Sequence, residues 1–130
     1  MPKIAWIEDD YDEISSLVKL LELDGYKIPR YRTRSDVDNS IEEILSCDAI
    51  ILDIILPPIT EDNPHQGISI LKMLREKYNY SKPVVVCTVV RAPGVMDELR
   101  KLGVFNGNIL HKPVRPSVLA MTVKKALGKE

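Results

Sequence analysis

Five short apolar runs alternate with five stretches whose apolar residues recur at helical spacing. The runs cover residues 4–7, 26–31, 49–52, 84–88 and 108–111. Such alternation predicts a parallel sheet with helices on both faces. Ile14, Leu17, Val18 and Leu21 fall at i, i+3, i+4 and i+7, and Gly25 follows as a helix stop. The second helix is expected to start at Ser35, whose spacing to Asp38 fits a capping box, with Val37, Ile41, Ile44 and Leu45 on one stripe. A third follows Gly67 with Ile68, Leu71 and Leu74 on its face. A fourth carries Val95, Leu99 and Leu102 and stops at Gly103. A fifth opens with Pro116 and ends in Lys124, Lys125 and Gly128.

Pro29 cannot donate a ladder hydrogen bond, so the second strand belongs on an edge. The runs 49–52 and 84–88 are apolar on consecutive residues, as a strand covered on both faces requires, and belong inside the sheet. A doubly wound order 2-1-3-4-5 meets both conditions. It sets strands one and three side by side where the winding reverses, and sites in such sheets form at the carboxyl ends of the strands near that point.

Composition narrows the class without revealing chemistry. The chain has 130 residues, 45% of them hydrophobic and 28% charged, with 18 basic against 19 acidic side chains. That length fits one soluble domain with a single core, expected to span 1–130 and to reside in the cytoplasm. The balance excludes a disordered chain, and a constitutive nucleic-acid binder would show a basic excess. No apolar run approaches the length of a membrane span. Cys47 and Cys87 lack any metal or redox spacing and read as buried free thiols.

The strand ends carry the candidate chemistry. Strand one ends in Glu8, Asp9 and Asp10, and strand three in Asp53. Carboxylates this close raise one another's pKa unless a cation neutralises them, and Mg2+, which takes oxygen ligands, is the natural one. Lys112 at the end of strand five adds a second positive charge, and the Thr88 hydroxyl can donate to an oxyanion at the same edge. Asp53 follows the buried run AIIL and stands alone, so it is the candidate nucleophile toward phosphorus. The adjacent Glu8 and Asp9 are better placed as metal ligands. Acids near a helix start also favour its dipole, which suffices for Asp10 and Asp12.

In these residues the chain resembles the receiver domains of two-component response regulators, of the stand-alone, chemotaxis-regulator-like kind. The matching segments are IAWIEDD at 4–10, DAIILDIILP at 48–57, PVVVCT at 83–88 and ILHKP at 109–113, which together span nearly the whole chain. The resemblance implies a flavodoxin-like α/β fold. It further implies Mg2+ held by Glu8, Asp9, Asp53 and the backbone carbonyl of Ile55, and phosphoryl transfer to Asp53 from a sensor histidine kinase or phosphotransfer protein. Thr88 and Lys112 would contact the phosphoryl group, and the Lys112–Pro113 bond would be cis. Such a domain is a phosphoacceptor rather than an enzyme, although it assists its own phosphoryl transfer and hydrolysis. Its output would be a protein target bound through the face of the fourth helix, fifth strand and fifth helix, with no nucleic acid or membrane contacted directly. No effector domain is expected within these 130 residues, and a piece of a longer protein would read the same.

Three features depart from the family pattern. Ile109 stands where a Tyr or Phe usually serves as a switch residue, so an aromatic readout is not expected. Val89 and Val90 follow the threonine where a small residue is common, and with Ile55 their bulk is expected to limit water access and prolong the signal. Nine residues, PITEDNPHQ, separate Pro57 from Gly67 where about three are usual. A tolerated surface insertion is the simpler reading of that loop; a partner contact or partial lid, with Glu61, Asp62 and His65 at its tip, is the functional one. Of the rivals, a flavin module would need a phosphate loop that EDDYDE would repel, and a haloacid-type phosphatase would need a DxDxT run. The alternative that stays open is a degenerate receiver acting as a phosphorylation-independent interaction module.

Overall fold

In the computed structural model, which describes residues 2–10 and 15–128, five parallel strands form one sheet in the order 2-1-3-4-5. Strand β1 is Ile4–Ile7. A 3-10 turn at Ser15–Val18 runs into α1, Lys19–Leu23, and β2 is Arg30–Tyr31. Helices α2, Arg34–Asp38, and α3, Ile41–Leu45, precede β3, Ala49–Leu52. Helix α4, Gln66–Lys72, continues through a wider π turn at Met73–Lys77 to β4, Val84–Thr88. Helix α5, Pro93–Lys101, leads to β5, Ile109–His111, and α6, Pro116–Ala126, closes the order.

The interior strands keep the bounds their apolar runs predict, because every residue of β1, β3 and β4 is buried. Successive side chains point to opposite faces. Ala5, Ile7, Ile50, Leu52, Val84 and Val86 pack under α2 to α5. Ile4, Trp6, Ala49, Ile51, Val85 and Cys87 meet Val18, Leu21, Leu119 and Val123 of the α1 and α6 side. Both thiols are free and buried, and burial pushes Cys47 up to about 11 and Cys87 to about 12. No helix among the described residues is long and apolar enough to cross a membrane.

Elsewhere the sequence reading needs correction. The edge strand is two residues rather than six. Lys27 makes only an isolated bridge with Lys3, and Pro29 contributes its carbonyl, accepting from the Trp6 amide at 2.9 Å. The second predicted helix is two short ones parted at 39–40. Its cap is Thr33 rather than Ser35, the Thr33 hydroxyl accepting from the Asp36 amide at 3.2 Å. The third begins at Gln66, one residue before Gly67, and Asn108 belongs to a 3-10 turn instead of β5. Ile14, the first residue of the stripe expected for the first helix, and Asp12 lie outside the described residues.

Candidate functional site

Pairing of Ile7 with Leu52 ends β1 and β3 at one level, so Glu8 and Asp53 leave the sheet side by side. The Asp53 amide donates to the Ile7 carbonyl at 3.0 Å, which extends the ladder one step and fixes where the Asp53 side chain emerges. Across the sheet, Thr88 pairs with His111, and the Lys112 amide donates to the Thr88 carbonyl at 2.9 Å. Lys112 therefore starts from the same edge, ahead of a cis bond to Pro113. Glu8, Asp53 and Thr88 are buried and Asp9 is half-buried.

Carboxylate oxygens of Glu8, Asp9 and Asp53 lie within 4.8 Å of one another. The Lys112 ammonium bridges two of these groups, 2.5 Å from Glu8 Oε1 and 3.0 Å from Asp53 Oδ2. The Asp9 amide donates to Glu8 Oε2 at 3.1 Å and the Ile55 amide to Asp53 Oδ1 at 3.3 Å. Asp10 is exposed and stands outside this cluster.

Three carboxylates against one ammonium leave a surplus of negative charge in a poorly hydrated place. Burial pushes the Glu8 carboxyl up to about 8, and the charge of Asp53 adds to this against the hydrogen bond from Lys112. For Lys112, burial acts downward, but the bond to Glu8 and the charge of Asp53 outweigh it and leave the ammonium above its ordinary range. Hard oxygen donors at this spacing, carrying uncompensated charge, fit a small divalent cation such as Mg2+.

The Thr88 hydroxyl accepts from the Val90 amide at 3.2 Å. Its own proton remains available to an anion at the strand ends. That bond also turns the loop after β4. Val89 stands 60% exposed, whereas Val90 and Ile109 pack half-buried against the core below α5. The expected apolar screen therefore loses Val90 to the core, and Val89 and Ile55 remain its candidates.

Sequence reasoning missed several residues that shape the site. Gly67 was read only as a helix start, yet a Cβ there would lie 2.1 Å from the Asp53 carbonyl oxygen and 2.7 Å from Ile54 Cα. Its amide donates to the Ile54 carbonyl at 2.8 Å, so α4 begins pressed against the loop that carries Asp53. Arg32, at the end of β2, donates through Nη2 to the Asp9 carbonyl at 3.2 Å. The available signal was its place at a strand end beside the switch point.

The long loop is tied down at its base. Buried Gln66 donates to the Pro58 carbonyl at 3.2 Å and accepts from Arg34 Nη1 at 2.9 Å, while the Arg34 amide donates to the Pro57 carbonyl at 3.1 Å. Asn63 Nδ2 lies 3.0 Å from Ser69 Oγ. Glu61 and Asp62 face solvent, and His65 is half-buried just before α4.

Comparison with known proteins gives the family and the fold. The family model of the response regulator receiver domain matches residues 4–124. A sequence comparison with curated proteins gives no match. Among solved structures, a CheY-like response regulator receiver domain protein from Methanospirillum hungatei superposes with a TM-score of 0.81 at 21% identity, covering 98% of this chain and 94% of that one. The non-phosphorylated HemR receiver domain from Leptospira biflexa gives 0.82 at 21%, over 100% and 97% of the two chains. The receiver domain of the Francisella response regulator 1452 gives 0.79 at 23%, over 98% of each. At these identities the superpositions speak for the fold.

Proposed function

The chain belongs to the response regulator receiver domain family of two-component signalling, and from that premise we propose that it accepts a phosphoryl group on the side chain of Asp53. The observation that carries the reading is the convergence of Glu8, Asp9 and Asp53 within 4.8 Å, with Lys112 3.0 Å from Asp53 Oδ2.

In the reaction, an Asp53 oxygen attacks the phosphorus of a phosphohistidine on a sensor kinase or phosphotransfer protein. The P–N bond breaks, its electron pair stays on the imidazole, and the ring takes up a proton. As negative charge moves outward from the carboxylate to the phosphoryl oxygens, the Lys112 ammonium follows it, shifting from Asp53 Oδ2 to a phosphoryl oxygen. Thr88 donates its hydroxyl proton to another, a role supported by its acceptor position being filled by the Val90 amide. Glu8, Asp9, Asp53 and the Ile55 carbonyl would hold Mg2+, which when bound neutralises charge on the transferring group. Water attack on phosphorus later returns the Asp53 carboxylate and inorganic phosphate.

The domain, residues 1–130, works as a phosphoacceptor in the cytoplasm. It reports its state to a protein target through the face of α5, β5 and α6. Assembly of all five side chains at one edge disfavours the reading as a degenerate interaction module. Intact-mass measurement after incubation with acetyl phosphate tests the proposal. Wild type is expected to gain one phosphoryl group with Mg2+ present and none after chelation. A gain that survives chelation, or no gain at all, would overturn it.

A further inference from the structure

The loop 58–66 begins soon after Asp53 and ends at the first residue of α4, so its movement pulls on the segment that carries the acceptor. A loop of this length closes at modest entropic cost but leaves its tip free, and Glu61 and Asp62 there face solvent. Between that tip and Asp53 the backbone is held at successive points. The Ile54 carbonyl accepts from the Gly67 amide at 2.8 Å, the Pro57 carbonyl from the Arg34 amide at 3.1 Å and the Pro58 carbonyl from Gln66 Nε2 at 3.2 Å. Gln66 Oε1 accepts from Arg34 Nη1 at 2.9 Å, so the buried carboxamide is paired at both ends. The guanidinium is itself fixed, donating from Nε to Asp38 Oδ1 at 2.9 Å and from Nη2 to Met73 Sδ at 3.3 Å. Arg34 thus joins the head of α2, the start of the loop and α4 in one clasp.

What the clasp encloses is the contact that orients the acceptor. The Asp53 carboxylate is held from two sides: Lys112 lies 3.0 Å from Oδ2, and the Ile55 amide donates to Oδ1 at 3.3 Å. The first contact comes from a residue anchored to the sheet. The second comes from the loop segment and lasts only while that segment keeps still. Ile54 and Leu56 anchor it by burial, which fixes depth but has no direction. Direction comes from the hydrogen bonds on either side of Ile55. A buried carboxamide is costly unless both its ends are satisfied, and an apolar side chain would pack at Gln66 without that demand.

We propose that Arg34 and Gln66 are positioning residues of the acceptor site. Their clasp holds the segment 54–58 against motion of the loop tip, and so keeps the Ile55 amide on Asp53 Oδ1 and the Ile55 carbonyl in place as a ligand for Mg2+. The metal half of this inference rests on the reading of Asp53 as a phosphoacceptor; the orientation of Asp53 does not.

Two measurements on the whole chain test it. Backbone order parameters from NMR relaxation need neither metal nor phosphodonor. At Ile55 the value is expected to be that of rigid backbone, about 0.85, in wild type and to fall toward about 0.6 in Gln66→Leu and in Arg34→Met, with Ile51 and Val85 in the sheet unchanged. A loss of stability alone would not move the native-state value at one site. Calorimetric titration should then show Mg2+ affinity at least about tenfold lower in each variant, as for loss of a group that orients a metal ligand. Their combined effect should be smaller than the product of the two, because both break the Arg34–Gln66 bond. Asp62→Asn, at the tip, should match wild type in both measurements. Arg34 is half-buried at a helix start, so Arg34→Met decides the matter if Gln66→Leu fails to fold. An Ile55 order parameter equal to wild type in the variants would overturn the proposal, as would Mg2+ binding that is intact in wild type and unaltered in both. Wild type that binds no Mg2+ would instead overturn the acceptor reading and the metal half with it.

Discussion

Glu8 is the residue on which the electrostatics of the site turn. Its carboxyl, at about 8 in the fold against an ordinary 4.5, holds its proton more tightly folded than unfolded. The sign follows from linkage: this group's contribution favours the fold fully below about 4.5 and is lost as pH rises toward about 8. Binding of Mg2+ needs the ionised form and must displace that proton. Apparent Mg2+ affinity is therefore expected to climb with pH and level off above about 8, with proton release on binding below that point and almost none above it. Calorimetric titration in buffers of different ionisation heat measures both, and a pH-independent affinity would contradict the assignment of Glu8 as a ligand. The side chains of this cluster were legible because each follows an apolar run, so strand placement alone predicted their meeting. Arg32 and the Thr88–Val90 bond were not, because they depend on how loops turn after the strands end.

At the level of elements, legibility follows burial. Strands β1, β3 and β4, buried on every residue, kept their predicted bounds. The edge strand β2 shrank because the ladder beside Pro29 has one neighbour and few bonds. The Ser35–Asp38 spacing imitates a capping box, yet Thr33 two residues earlier is where the chain is still extended and can cap. Gly67 shows what spacing hides: the reason for the glycine is a backbone neighbour from another element. Gly67→Ala would drive a Cβ into the Asp53 carbonyl oxygen, and neither backbone can yield cheaply. The substitution is expected to destabilise the fold by about 3 kcal/mol and lower the urea midpoint accordingly. A midpoint equal to wild type would show that α4 does not press on the Asp53 loop as described.

For the molecule as a whole, the near-neutral charge is an average over unlike regions. A formal net of -1 contains three carboxylates within 4.8 Å at one sheet edge, answered locally by Lys112, and a mixed rim around an apolar groove on the α1 and α6 side. Phosphoryl acceptance is proposed at the sheet edge, and output through the face of α5, β5 and α6. Ile109 packs half-buried against the core, and the Thr88–Val90 bond ties the proposed phosphoryl position to the loop before α5. The proposed function rests on Asp53 being the acceptor. Borohydride reduces an acyl phosphate to an alcohol, so treating the chain with acetyl phosphate and Mg2+, then borohydride, converts a phosphorylated aspartate to homoserine that peptide mapping can locate. The account predicts homoserine at position 53 alone, absent when Mg2+ is withheld; reduction at any other carboxylate, or at none, would contradict it.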